Sequence, residues 1–333
     1  MKLQNLFLFV SALAFLPSAI FSQSAEPMAH GVRNDLPRPY ETQRDWGTLP
    51  AGTEAWAAVT GVEPSPDGSF IYVIHRCFEN SCANRLEQPI LKLDYSKGDI
   101  NFILKGIEQV LKSGFLTMSD RVLEFEKAFS EFCNVKYAIG TSSGTSSLEI
   151  IMRVIDVSQG TVVMPSNTYM ATPLSAIKAG AKVIFTDCNP NTLQMDPNDL
   201  KKKIRQDTKA VILVHIGGII SPEIDQIKEI CDSKNIPLIE DAAHAHGSEL
   251  LGKKAGSFGI AGSFSFYPTK VLNTAEGGMI TTNNYEVYQR AKIFREHGKQ
   301  NHAENVHVEI GDNWRYSEIH AVLGLQQMKK VNN

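Results

Sequence analysis

In Ile236-Pro237-Leu238-Ile239-Glu240-Asp241-Ala242-Ala243-His244-Ala245-His246-Gly247, a short apolar run ends on two carboxylates and passes into small residues. An apolar run of this length, closed by turn formers, is the pattern of a strand buried on both faces. Runs of the same kind recur at Val162 to Met164, Val183 to Phe185 and Val211 to Val214. Between them lie helical periods such as Ile224, Ile227, Ile230 and Cys231, spaced three and four apart. Alternating strands and helices predict an α/β domain with a mostly parallel central sheet. Ligands of such sheets sit beyond the carboxyl ends of the strands, and Asp241 falls there. Its carboxylate can reach a ligand lying against the backbone, or it can serve as a helix N-cap.

Two other segments bear on the same edge. Gly140-Thr141-Ser142-Ser143-Gly144-Thr145-Ser146-Ser147 follows the strand-like Tyr137 to Ile139 and leads into the helical Leu148 to Val154. Small residues at a helix N-terminus offer N–H groups and hydroxyls to an anion, although a flexible turn reads the same way. The segment has neither the lysine of a P-loop nor the spacing of a dinucleotide fingerprint. Ser263-Phe264-Ser265-Phe266 alternates like a half-buried strand, and the proline-shaped turn Tyr267-Pro268-Thr269-Lys270 after it carries Lys270 toward the sheet edge. Taken singly, Lys270 reads as a surface lysine.

An anion-binding turn, an acid on a strand end and a lysine, in that order along one α/β domain, form a specific set. With their neighbours they closely resemble the DegT/DnrJ/EryC1/StrS family of sugar aminotransferases, from about residue 93 onward. Matching segments include Pro165-Ser166-Asn167-Thr168-Tyr169-Met170-Ala171-Thr172, Val214-His215-Ile216-Gly217-Gly218, Arg295-Glu296-His297-Gly298 and Asp312-Asn313-Trp314-Arg315-Tyr316. The resemblance implies the fold type I large domain of a pyridoxal 5'-phosphate-dependent transferase, with the family's small C-terminal domain largely missing beyond Asn333. It implies that Lys270 holds the cofactor as a Schiff base and that Asp241 pairs with the ring nitrogen. Gly144, Thr145 and Ser265 would hold the phosphate, His244 would approach the ring hydroxyl, and Tyr169 would stack on the ring. Asn313 would reach the partner's phosphate across a homodimer with shared active sites. The implied reaction moves an amino group from an amino acid, usually glutamate, to a keto sugar carried on a nucleotide. Relatives that dehydrate or deoxygenate sugars carry histidine where Lys270 stands, so lysine here favours transamination.

The N-terminal third differs in texture. Lys2 precedes an apolar run from Leu6 to Phe21 that meets Ser22, Ser24 and Ala25, which reads as a secretory signal peptide over residues 1–24 rather than a membrane span. Residues 25–92 are rich in Pro, Gly and aromatic residues. There the turn Pro66-Asp67-Gly68 feeds Phe70 to Ile74, resembling the opening blade of an NHL-type six-bladed β-propeller. No second copy of that blade follows, and one blade cannot bury its own faces. An export signal conflicts with an enzyme family that works in the cytosol, where nucleotide sugars are. An exported propeller-type binding fragment, or an inactive fusion of two gene fragments, therefore stands as the alternative to the enzyme. Among 333 residues, 33 basic against 36 acidic side chains leave a net charge of -3, which gives no footprint for nucleic acid. Five cysteines at 77, 82, 133, 188 and 231 lack zinc spacing; His75, Cys77 and Cys82 more readily give a disulfide or nothing than a metal site.

Overall fold

A computed structural model describes residues 59–64, 71–75, 97–301 and 305–331. The signal-peptide reading and Cys77 and Cys82 lie outside them. Within the N-terminal third, β1 (Val59–Pro64) and β2 (Ile71–His75) form an antiparallel hairpin in which Val62 faces Val73. A strand stands at Ile71–His75 where one was expected at Phe70 to Ile74, but a single hairpin does not support the propeller resemblance.

From α1 (Lys97–Ser113) and α2 (Asp120–Phe132) the chain enters β3 (Tyr137–Thr141), α3 (Gly144–Ile155) and β4 (Thr161–Pro165). It continues through α4 (Ala171–Lys178), β5 (Lys182–Thr186), α5 (Pro197–Lys203), β6 (Thr208–Val214), α6 (Ile224–Asp232) and β7 (Leu238–Asp241). A two-residue hairpin, β8 (Glu249–Leu250) with β9 (Lys253–Lys254), precedes β10 (Ala261–Ser265) and β11 (Gly278–Thr282), and α7 (Tyr285–Arg295) and α8 (Glu318–Val331) follow. Seven strands form one sheet in the order β3-β11-β10-β7-β6-β4-β5. All pairings from β10 to β5 are parallel, while β11 runs against both its neighbours. The α/β expectation with a mostly parallel sheet is met.

Both faces of the sheet are covered, which is why β4, β7 and β11 are buried at every position. One face packs Leu238, Phe264 and Phe266 with Val122, Phe125 and Phe129 of α2 and with the α6 stripe Ile224, Ile227, Ile230 and Cys231. The other packs Ile239, Ile212 and Ile280 with Leu148, Ile150 and Ile151 of α3 and Phe294 of α7. Burial pushes the Cys231 thiol up to about 12, so this side chain serves as a small apolar core group. The read strand at Ile236 to Ile239 is displaced by two residues, because Pro237 has no N–H for the ladder and only its carbonyl serves β6. α3 begins four residues before the expected Leu148. There Ser143 and Ser146 cap each other, each side chain accepting from the other's backbone N–H.

Candidate active site

Six of the seven strands run in one direction, so their carboxyl ends share one edge of the sheet. Asp241, the last residue of β7, is 6% exposed there. Its Oδ2 accepts from the Thr172 hydroxyl of α4 at 2.7 Å, and its Oδ1 accepts the Ala243 N–H at 3.2 Å. The Thr172 hydroxyl is itself bonded to that of Thr168 at 2.7 Å, so a small relay fixes the carboxylate. A turn, not a helix, follows Asp241, which disposes of the N-cap reading. A carboxylate has about four lone-pair sites, and the two bonds here leave acceptor capacity for a ligand.

Beside it, Ser263 of β10 is in register with Asp241. The Ser263 hydroxyl donates to the Gly144 carbonyl at 3.1 Å, drawing the start of α3 onto β10. The approach is close: a Cβ on Gly144 would stand 2.8 Å from the Ser265 Cβ, so no side chain fits. Glycine at 144 is therefore a packing requirement, and its result is that the first N–H groups of α3 lie next to Ser265. Those first-turn N–H groups have no acceptor within their helix, and they carry the positive end of its dipole.

Lys270 stands in the turn beyond β10, half-buried, its N–H bonded to the Tyr267 carbonyl at 2.9 Å. The His246 ring lies against Phe264 and Phe266, with centroids 5.3 Å and 5.5 Å away. Burial, reinforced by the positive charges of Lys270 and His244, pushes His246 down to about 3, so Lys270 and His244 lie within electrostatic reach of that ring. Neither His246 nitrogen makes a hydrogen bond in this geometry, although the nearby Ser265 backbone weakly favours the charged form. His244 is exposed.

The structure thus gathers Gly144, Thr145, Ser265 and Asp241 at one edge, with Lys270 and His244 adjoining. Tyr169, 71% exposed, stands just ahead of the helix that supplies Thr172. Asn313 is also exposed; it bridges Glu296 and precedes Trp314, whose carbonyl accepts the Ser142 N–H at 3.0 Å. Two participants escaped the sequence reading. Thr172 carries a single sequence signal, its four-residue spacing from Thr168, whose hydroxyl it bonds. Glu240 was passed over beside Asp241. It is fully buried and accepts from the N–H groups of Gly256 at 2.7 Å, Phe258 at 2.6 Å and Gly259 at 2.7 Å, with His215 Nε2 at 2.9 Å.

Pyridoxal phosphate requires donors for a phosphate, a carboxylate for a protonated ring nitrogen and an amine. The donor set at this edge fits it: α3 amides beside the Ser265 hydroxyl, Asp241 with acceptor capacity to spare, and Lys270. Fold and site together define the large domain of a fold type I pyridoxal-phosphate-dependent transferase.

Comparison with known proteins narrows the class. The profile of the DegT/DnrJ/EryC1/StrS aminotransferase family matches residues 99–333, and the chain belongs to that family. It is 37% identical over 212 residues to GDP-perosamine synthase of Caulobacter vibrioides, covering 63% of this chain and 57% of that protein. It is 36% identical over 235 residues to the UDP-4-amino-4,6-dideoxy-N-acetyl-beta-L-altrosamine transaminase of Campylobacter jejuni, covering 69% of this chain and 62% of the relative. The structure of Helicobacter pylori PseC, an aminotransferase involved in the biosynthesis of pseudoaminic acid, superposes with a TM-score of 0.64 at 34% identity, covering 69% of this chain and 63% of that one. The chain spans 57% to 63% of the length of these relatives. No helix among the described residues is long and apolar enough to cross a membrane.

Proposed function

We propose that this chain carries the cofactor-binding half of a pyridoxal-phosphate-dependent aminotransferase that moves an amino group from an amino acid, glutamate being the family's usual donor, to a nucleotide-linked keto sugar. The observation that carries the reading is the meeting of Asp241, held by Thr172, with the Gly144–Ser265 contact at the strand ends. Gly144, Thr145 and Ser265 hold the phosphate, and Asp241 pairs with the ring nitrogen. Tyr169 covers the ring face and His244 approaches the ring hydroxyl. The bound cofactor supplies an electron sink for the carbon that loses its proton. Lys270 would hold the cofactor through its side-chain amine, and that amine, when free, would serve as the base that moves the proton at the reacting carbon. Relatives named for GDP- and UDP-linked sugars support the substrate class.

The homodimer belongs to the same proposal. Met170, the N-cap of α4, and Leu174 and Ile177 within it follow one another at helical spacing and are 63%, 42% and 56% exposed. Phe185 on the neighbouring edge strand β5 is 46% exposed. An apolar strip of this kind suits a second copy, and Asn313 then serves the partner's phosphate. A cytosolic location fits the substrates; an intact Met1 in mass spectra of the mature protein would remove the export signal from consideration.

Absorbance of the purified chain with added pyridoxal phosphate, before and after borohydride, tests the core of the proposal. The wild type is expected to show a lysine-linked cofactor band that borohydride traps, and Lys270→Ala to lack it. A wild type without the band, or a mutant that keeps it, overturns the reading.

A further inference from the structure

β3 is the outermost strand on its side of the sheet, bonded to β11 alone. An edge strand leaves one row of N–H and C=O groups without a strand to take them. At Gly140 a buried ion pair takes both. Glu126 Oε1 accepts the Gly140 N–H at 2.8 Å, while Arg295 Nη1 donates to the Gly140 carbonyl at 2.9 Å and to that same Glu126 oxygen at 2.6 Å. Two residues on, the Ser142 N–H donates to the Trp314 carbonyl at 3.0 Å, and the Trp314 N–H donates to the Arg295 carbonyl at 3.1 Å. Arg295 therefore grips the end of β3 twice, with its guanidinium at Gly140 and, through Trp314, with its backbone at Ser142.

A buried ion pair is weak evidence for stability, because apolar residues of the same volume often serve as well. What an apolar pair cannot do is fix one residue's backbone at both its N–H and its carbonyl. Gly140 is also held from another side, since a Cβ there would stand 3.3 Å from the Tyr316 ring. Tyr316 in turn bonds the Thr274 hydroxyl at 2.6 Å, in the loop after Lys270. The strand end that becomes Ser142–Thr145 is thus set by contacts upstream of every group proposed to touch phosphate.

We propose that the Arg295–Glu126 pair is a positioning device for the turn Ser142–Thr145 and sets affinity for the cofactor's phosphate rather than for its ring. The inference rests on the proposed function, in which that turn holds the phosphate. Its test compares binding of pyridoxal phosphate and of pyridoxal, the same ring without the phosphate, to the full chain by absorbance titration. Arg295→Met is expected to weaken pyridoxal phosphate roughly tenfold or more, the worth of a hydrogen bond to a charged group, while pyridoxal changes less than about twofold. Glu126→Gln keeps an acceptor oxygen for Gly140 but removes the charge facing Arg295. It is expected to give a smaller loss with the same selectivity for the phosphate form, and it carries the test if Arg295→Met does not fold. Equal weakening of both ligands, as a general loosening of the domain would produce, overturns the proposal, as does no weakening of either. A wild type that binds neither ligand defeats the proposed function and this inference with it.

Discussion

Glu240 and Asp241 are consecutive carboxylates at the end of one strand, and the pleat sends them to opposite faces of the sheet. On the α2 and α6 face, Glu240 takes three backbone N–H groups and His215 Nε2, which uses all its acceptor capacity. On the α3 and α4 face, Asp241 takes one hydroxyl and one N–H. The first face holds the loop at residues 255–259 in place, and the second leaves lone pairs facing the strand-end edge. These neighbouring acids, Glu240 fully buried and Asp241 6% exposed, thus differ in how many donors surround them, and Asp241 keeps the acceptor capacity that its proposed role needs. The histidines divide the same way: the His215 ring has Glu240, whereas the His246 ring has aromatic neighbours.

On that division, Glu240→Ala has the largest effect on folding. It strands three buried N–H groups and His215, and about 3–5 kcal/mol of stability should vanish in a denaturant titration. A loss below about 1 kcal/mol would erase the distinction between the two carboxylates. The next effect is acid sensitivity. His246 titrates lower folded than unfolded, so the unfolded chain takes up its proton first as pH falls. The stability it contributes is fully present above about pH 6.5 and is lost as pH falls toward 3, the loss reaching about 3 kcal/mol by pH 4. Thermal melts from pH 7 to 4 should fall less steeply for His246→Phe than for the wild type; parallel slopes would mean the ring finds donors or acceptors in solution. Asp241→Asn has the smallest effect on folding, under about 1 kcal/mol, since the amide keeps the shape and one acceptor. The proposed half-reaction with an amino-acid donor, followed by the cofactor's visible absorbance, should nonetheless slow roughly 10²- to 10³-fold, as when a preorganised electrostatic partner is lost. Unfolding of this variant, with unchanged chemistry in what remains folded, would reverse the roles assigned to the two faces.

Local signals carried most of the fold. Val162 to Met164, Val183 to Phe185 and Val211 to Val214 read as strands because no polar alternation interrupts them, and they lie within β4, β5 and β6; the first and last runs are buried on both faces, whereas edge strand β5 leaves Phe185 exposed. The α6 stripe was legible for the complementary reason, its four apolar positions all being buried. Direction and partners of β11 were not legible: Gly278 to Thr282 shows no sign that it runs against its neighbours, since pairing over long sequence distances leaves no local mark. The strand-end placement of Asp241 and of the turn at Gly144 was legible in their own segments, while the roles proposed for them came from the family resemblance. The rest of the site was hidden where the chemistry is split between distant segments: Thr172 acquires its role only by meeting Asp241, and Glu126 and Arg295 only by meeting at Gly140.

The reversed strand also has a consequence for how the chain assembles. β3 is made early, yet its strand partner β11 lies roughly 140 residues further on, from Tyr137 facing Thr282 to Thr141 facing Gly278. During synthesis the parallel block β4 to β7 can collapse on α3 to α6 while β3 still lacks its ladder. Closing so long a loop is slow compared with the local steps. The end of β3 thus waits on β11 for its ladder, and on Arg295, Trp314 and Tyr316, made later still, for its contacts at Gly140 and Ser142.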